Sequence, residues 1–262
     1  MITMKPTVRV RSKELAHDIM PDVSKANDLL CRYEEQASLW IWAYPELLGW
    51  HREIIWLFSP VVGKGRYPGD LWGIDSNGNL IIVETKLAKT DKGQDPFVDF
   101  IAFQEDRAKG LRIDIVQKRW ESLFKDELEF IERYRNDVDR GRRKKGPFPG
   151  VVPYSRNRNA IWQWRRLYLR AIVPIILDNK GYAGKIRAYF AKWGGNSQIH
   201  YFGVIAAGSG TSPRLSPKGK RNYDELCRKA GAEQTHFRGL QASYTGGRYV
   251  EVTVKPLATG SS

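Results

Sequence analysis

Two carboxylates and a lysine stand at a spacing suited to metal-assisted chemistry. Thirteen residues separate Asp70 from Glu84, and Lys86 follows two positions later. Residues 80–83 are all apolar, so we expect Glu84 at the rim of a buried core, where a partly desolvated carboxylate needs a cation. Lys86 could be that cation, which would make the group a salt-bridged strand end. The alternative is a divalent ion.

The elements that carry these residues are predicted to be two strands of a hairpin. Residues 70–75 and 79–86 flank the tripeptide Ser-Asn-Gly at 76–78, which is typical of a tight turn. This turn places Asp70 opposite Glu84 to within one residue of register. Because both faces of the second strand are apolar up to residue 83, we expect it to be covered on both sides.

Like charges that face each other repel, so the predicted pairing of Asp70 with Glu84 is favourable if Mg²⁺ lies between them. The ion would take one oxygen from each carboxylate, a backbone carbonyl and waters. No His or Cys lies nearby in sequence, which favours Mg²⁺ over zinc. Such an ion polarises a phosphoryl oxygen and generates hydroxide, while Lys86 would orient that nucleophile or stabilise transition-state charge.

Hydrophobic periodicity predicts the elements around the hairpin. A helix and a strand are expected before it, over 27–44 and 53–58, and the three strands would form an antiparallel meander. The elements expected after it are helices over 95–110 and 116–134, a strand over 167–177, a helix over 183–193, a strand over 199–206, a helix over 223–229 and a hairpin turning at Gly246-Gly247. The fold class is therefore α/β (α+β), a mixed sheet flanked by helices with one parallel crossover.

Asp70, the thirteen intervening residues and Glu84-Thr85-Lys86, on a hairpin after an opening helix, resemble the PD-(D/E)XK nuclease superfamily. The resemblance implies a restriction-endonuclease-like core of helix, three strands, helix and strand, with Mg²⁺ or Mn²⁺ and phosphodiester hydrolysis. It makes Asp70 and Glu84 metal ligands, the Thr85 carbonyl a further ligand and Lys86 the catalytic lysine. The additional acid of the first helix would be Glu35 or Glu34.

The order of PELLG, a strand, GDLWGIDSNGNLIIVETK and a following helix is similar to the branch of mismatch- and structure-specific DNA endonucleases. The pattern departs from that branch at two points. The Pro-Asp pair is spaced here as Pro68-Gly69-Asp70. The Gln-x-x-x-Tyr expected on the helix after the lysine is absent in that form, and Gln94 and Gln104 are the nearest polar substitutes.

The net charge of +14 predicts a polyanionic partner, of which nucleic acid is the usual one. Residues 140–177 contain no Asp or Glu and ten Lys or Arg. The predicted phosphate contacts in this segment are Arg140, Arg142, Arg143, Lys144, Lys145, Arg156, Arg158, Arg165 and Arg166. Trp162 and Trp164 lie among them and either stack on bases or fill the core.

Several other sequence features exclude particular locations and kinds of site. With no long apolar run and no signal-peptide pattern, the sequence predicts a cytoplasmic protein that does not associate with membranes. Two distant cysteines predict neither a disulfide nor a zinc site. The four histidines show no ligand spacing and are interpreted as ordinary surface or core residues, and Asp75 as a turn-stabilising acid. Residues 208–220 lack P-loop order and are expected to form a mobile loop.

The leading prediction is a single nuclease-like domain over residues 27–262, with an N-terminal extension over 1–26 and a basic loop insertion at about 139–160. It would act as a Mg²⁺-dependent deoxyribonuclease that cuts DNA internally. The alternatives are a nucleic-acid-binding module that keeps the nuclease fold without cutting, and a nuclease directed at RNA. A protein with one active site per chain must act as two chains, or bind the DNA twice, to cut both strands. A homodimer is the commonest solution.

Overall fold

A computed structural model describes residues 7–11, 37–38, 40–41, 44–58, 70–88, 114, 116–118, 120–121, 180–194, 196–215, 217–230, 234–244, 249–255 and 257–259. The strands are β1 (Thr7–Arg11), β2 (Ile54–Phe58), β3 (Leu71–Asp75), β4 (Leu80–Leu87), β5 (Ile199–Ala207), β6 (Arg214–Leu215), β7 (Thr235–Tyr244), β8 (Tyr249–Lys255) and β9 (Ala258–Thr259). The helices are a 3₁₀ helix (Pro45–Leu48), α1 (Lys180–Ala191) and α2 (Pro217–Ala230). Helical turns also include residues 37–38, 40–41, 114, 116–118 and 120–121.

The predicted meander is confirmed. β2 pairs with β3 and β3 with β4, both antiparallel, with Ile74 opposite Leu80 and Leu71 opposite Val83. The turn between β3 and β4 needs Gly78, whose φ is +85°, a conformation that L side chains rarely adopt. The turn sequence therefore sets the register that brings residue 70 beside the end of β4.

Seven strands form one mixed sheet in the order β1-β8-β7-β5-β4-β3-β2. β4, β5 and β7 are parallel neighbours, which confirms the predicted parallel strand beside the meander, and the C-terminal hairpin is confirmed by the antiparallel pairing of β7 with β8. The mixed α/β class is thus the observed one. β6 and β9 form a separate two-stranded sheet.

Both faces of the central strands β3, β4 and β5 are buried, as predicted for β4. Along β4, Ile81 and Val83 pack in one core cluster, and Leu80 and Ile82 in the other. The first cluster is covered by the helical residues Ala37 and Ile41 and by the 3₁₀ helix, and the second by the helical residues Val116 and Trp120 and by α1. Each fully buried Leu or Ile contributes about 1.5–3 kcal/mol, so this alternation fixes which side chains of β4 face which layer.

Two segments differ from expectation. Residues 7–11 of the predicted N-terminal extension form β1, an edge strand paired with β8. The mobile loop expected over 208–220 is wrong in its second half, which contains β6 and the first turn of α2, six residues before the helix start expected at residue 223. Pro217 suits that first turn because an N–H there would have no intrahelical partner.

The helices expected over 95–110 and most of those over 27–44 and 116–134 lie outside the described residues, as does the strand expected over 167–177. None of the helices in the described part of the chain is long and apolar enough to cross a membrane.

Candidate functional site

Glu84 and Lys86 lie side by side on one face of β4, two residues apart. Because side chains alternate along a strand, both belong to the face of Leu80 and Ile82. Glu84 is only 5% exposed, and its Oε1 forms an ion pair with Lys86 Nζ. The parallel neighbour of Glu84 is Gly203, which adds no side chain beside the carboxylate. The predicted salt-bridged strand end is therefore present, and the ion pair compensates a nearly buried charge.

Asp70 reaches the end of β4 from the start of β3, as the hairpin predicted. Its N–H donates to the Val83 carbonyl at 2.6 Å, and its Oδ2 accepts bonds from the Thr85 N–H at 2.8 Å and the Thr85 hydroxyl at 2.5 Å. These partners are the two neighbours of Glu84, so the register holds to within one residue. The sequence predicts a role for Thr85 only through its carbonyl, so the bonds from its N–H and hydroxyl are a further finding.

The helical residues before the meander also contribute to the site. Ser38 is buried, and its Oγ lies 2.7 Å from Thr85 Oγ1. Ser38 thus extends a hydrogen-bonded chain from Asp70 through Thr85 to the layer above the sheet. Sequence reasoning missed Ser38, although a signal existed: it follows Glu34 and Glu35 by four and three residues, the spacing of one helical face. Glu34 and Glu35 themselves lie outside the described residues.

The oxygen donors at this strand end are of the kind that small hard cations prefer. Asp70 and Glu84 supply carboxylates from adjacent strands. The Thr85 N–H points toward Asp70, and in a strand the carbonyl of the same residue faces the same neighbour. No cluster of three or more His, Cys, Asp or Glu that could hold a metal occurs in the described part of the chain. Mg²⁺ is usually bound through one or two carboxylates and several waters, so this donor set suits it.

The predicted phosphate-binding residues from Arg140 to Arg166 lie outside the described residues, as do Trp162, Trp164, Gln94 and Gln104. Their assignment stays a prediction. What the structure describes of the site is therefore the β3–β4 strand end and its contact with Ser38.

Asp75 lies at the opposite end of the hairpin and acts as the predicted turn acid. Its buried carboxylate accepts bonds from the N–H groups of Asn77 and Asn79, from the Asn79 side chain at 3.0 Å and from Trp50 Nε1 at 3.2 Å. Burial by itself would raise the pKa of Asp75, but these hydrogen bonds outweigh it and the net effect is a lowered pKa. Asp75 therefore stabilises the turn and lies away from Glu84.

A histidine pair forms a second polar cluster, which sequence spacing could not reveal. His200 of β5 and His236 of β7 lie 36 residues apart, yet their Nδ1 and Nε2 atoms are 3.1 Å apart. The ring of Trp50 lies 4.6 Å from that of His200, and Phe202 stacks on His236 at 4.5 Å. Burial, His200 and the charge of Arg238 lower the pKa of His236 to about 4. The interpretation of these histidines as ordinary core residues agrees with the burial of His200 and the partial burial of His236, but the contact between the two rings was not predicted.

The histidine pair is separate from the strand end that carries Glu84. His200 alternates with Tyr201 on β5 and shares the face of Phe202, which packs in the cluster of Ile81 and Val83. Glu84 belongs to the other face and lies toward the opposite end of β4, since His200 pairs with Ile81.

No known protein family, curated protein or solved structure matches the chain.

Proposed function

We propose that the chain is a divalent-metal-dependent DNA endonuclease with Asp70, Glu84, Thr85 and Lys86 at its centre. The observation that carries the proposal is the convergence of two acids and a lysine at one end of an otherwise apolar pair of strands. Helical residues followed by three antiparallel strands and then a parallel strand are also in accord with a restriction-endonuclease-like core. Such a centre is suited to hydrolysis of phosphodiesters.

Asp70, Glu84 and the Thr85 carbonyl would hold Mg²⁺ or Mn²⁺. When bound, the ion would polarise a phosphoryl oxygen and lower the pKa of a bound water. The protein's own contribution begins with Thr85, whose N–H and hydroxyl both bond Asp70 Oδ2 and so fix the orientation of that carboxylate. Ser38 in turn bonds the Thr85 hydroxyl, which limits its rotation.

Lys86 supplies the positive charge of the proposed centre. Its ammonium already lies against a nearly buried carboxylate, in a region where charge interactions are weakly screened. When a phosphodiester occupies the site, this ammonium stabilises the negative charge that develops as water adds to phosphorus and the bond to one sugar oxygen breaks. The basic segment from Arg140 to Arg166 would hold the DNA backbone on either side.

One observation favours the binding-module alternative. Glu84 and Asp70 are each satisfied by protein partners, Lys86 and Thr85, so their charges are compensated without a metal ion. A strand end whose carboxylates are compensated in this way is also compatible with a protein that binds nucleic acid and does not cut it. Phosphate contacts alone also do not distinguish DNA from RNA, so both substrates belong in the test.

The test is conversion of supercoiled plasmid to nicked and linear forms in Mg²⁺, Mn²⁺ or EDTA. We expect metal-dependent cutting by the wild-type protein, reduced at least about 100-fold in Glu84→Gln and in Lys86→Met. The matched control is Glu53→Gln. Glu53 also forms an ion pair with a lysine, Lys185, but lies at the other end of the meander and is half exposed. Its variant should cut like the wild type.

Equal cutting by all four proteins would assign the activity to a contaminant and contradict the proposal. Binding of the plasmid without cutting by any form would establish the binding module instead. Cutting of a single-stranded RNA of matched sequence, with the plasmid left intact, would move the substrate from DNA to RNA.

A further inference from the structure

The acid-poor part of the chain extends beyond the basic insertion. Residues 179–223 contain no Asp or Glu and eight Lys or Arg. These are Lys180, Lys185, Arg187, Lys192, Arg214, Lys218, Lys220 and Arg221. Two of them, in α1, are used within the protein: Lys185 pairs with Glu53, and Lys192 donates to the carbonyl of Ser76. The group that begins at Arg214 has no such explanation.

Arg214, Lys218, Lys220 and Arg221, here called the basic turn, are all exposed. They occupy β6 and the first residues of α2. None of them forms an ion pair with any residue in the described ranges. The basic turn thus places four solvent-exposed cations within residues 214–221, a segment that contains no Asp or Glu.

The basic turn lies at the same end and on the same face of the sheet as Glu84 and Lys86. Lys86 pairs with Ile205 on β5, and β5 ends two residues later. Leu215 packs in the same core cluster as Ile205, with Ala88 against it, and α2 begins two residues after Leu215. The chain therefore leaves the sheet beside the candidate site and starts α2 there.

Two of these cations, Lys218 and Lys220, lie in the first turn of α2, where they oppose helix stability. The N-terminus of a helix carries partial positive charge, and each cation placed there costs about 0.3–1 kcal/mol. No acid in the first turn offsets them. Arg228 and Lys229, in contrast, are in the last turn, where cations stabilise the helix, and Lys229 also pairs with Glu225 at 3.1 Å. Helix stability explains the charges of the last turn but not those of the basic turn.

We propose that the basic turn binds the phosphate backbone of a DNA duplex and guides it to the Asp70–Glu84–Lys86 site. The proposal rests on the proposed function and extends it to a second contact surface. Charge complementarity identifies a polyanion. A duplex fits better than a single strand because residues 208–222 contain no Phe, Tyr or Trp on which unpaired bases could stack.

Two double variants of α2 test the proposal. Lys220→Gln/Arg221→Gln removes one Lys and one Arg from the basic turn, and Arg228→Gln/Lys229→Gln removes the same charges about 12 Å further along the helix. Binding of a fluorescent duplex is measured by anisotropy in EDTA, over about 50 to 200 mM salt. We expect the slope of log affinity against log salt to become less steep by about 2 in the first variant only.

Equal reductions of the slope in the two variants would overturn the proposal, since net charge alone would then account for binding. Two unchanged slopes would also overturn it, since the basic turn would then make no phosphate contacts. Binding of the matching single strand as tightly as the duplex, through the same two residues, would overturn the choice of duplex. Thermal unfolding serves as the folding control. The first variant should unfold at or above the wild-type temperature because its substitutions remove cations from a helix N-terminus.

Binding in EDTA is independent of cutting, so the two proposals fail separately. Suppose that the slope falls only in Lys220→Gln/Arg221→Gln and that the wild type does not cut in Mg²⁺. The proposal that the basic turn binds a duplex would then stand, and the proposal of nuclease activity would be wrong. Metal-dependent cutting with equal slopes in both double variants would support nuclease activity and contradict the assignment of the basic turn as a DNA-binding surface.

Discussion

The His200–His236 contact contains two imidazoles that share one hydrogen bond, so one ring donates and the other accepts. Protonation of His236 would place a second charge beside His200 and Arg238 in a half-buried position. The low pKa of His236, about 4, has burial as its first cause and these two neighbours as the next. His236 is therefore neutral at physiological pH, and its contact with His200 holds β5 to β7.

The folded pKa of His236 is lower than that of an unfolded histidine, about 6.5, so the unfolded state binds the proton more readily. Stability is complete above about pH 6.5 and falls as the pH drops toward 4. We expect the wild type to lose about 2 kcal/mol more than His236→Gln over that interval. Urea unfolding at several pH values measures this. If the unfolding free energies of the two proteins changed with pH in parallel, the pKa of His236 would not be lowered in the folded state.

At the scale of elements, the β3–β4 turn packs against the end of α1. A Cβ added at Gly78 would meet the backbone of Lys192 and Trp193 at 2.9 Å, and φ is positive there. Gly210 also has positive φ, +79°, but nothing lies within 4 Å of the same position. The two glycines share the conformational requirement and differ only in the close approach of α1.

Alanine at these two glycines separates conformation from packing. Gly210→Ala should lower the unfolding free energy by about 1 kcal/mol, the cost of a side chain at positive φ. Gly78→Ala should lower it by about 1–3 kcal/mol more, because the hairpin or α1 must move. Chemical denaturation of both variants measures the difference. Equal losses would mean that the turn and the end of α1 separate without cost.

Local signals predicted the hairpin and its register, because Ser76-Asn77-Gly78 favours a tight turn and residues 80–83 require burial on both faces. The same signals placed Asp70 beside Glu84. They could not give the Thr85–Asp70 bonds, since a one-residue difference in register decides which side chain a carboxylate meets.

Elements that depend on distant partners were beyond local reasoning. β1 is a strand because β8, more than 230 residues later, offers an open edge. The histidine pair exists because β5 and β7 are parallel neighbours, which periodicity does not reveal. The early start of α2 was missed because Ser216-Pro217 was interpreted as loop rather than as a helix beginning with proline.

At the scale of the whole molecule, the net charge of +14 attracts a polyanion to the folded and to the unfolded chain alike. DNA binds any flexible polycation, so DNA stabilises the protein only if the folded surface binds it better than the unfolded chain does. We expect the proposed basic turn to meet that condition, since the fold keeps its four exposed cations close together.

We therefore expect a short duplex to raise the unfolding temperature in EDTA and low salt, by a free energy of about 2.7 kcal/mol when the free duplex is at 100 times its dissociation constant. The increase should vanish near about 0.5 M salt, where phosphate contacts are screened. It should be smaller in Lys220→Gln/Arg221→Gln and unchanged in Arg228→Gln/Lys229→Gln. Scanning calorimetry with and without duplex measures it. A lowered unfolding temperature would mean that the unfolded chain binds DNA better, and that the positive charge is not organised into a binding surface by this fold.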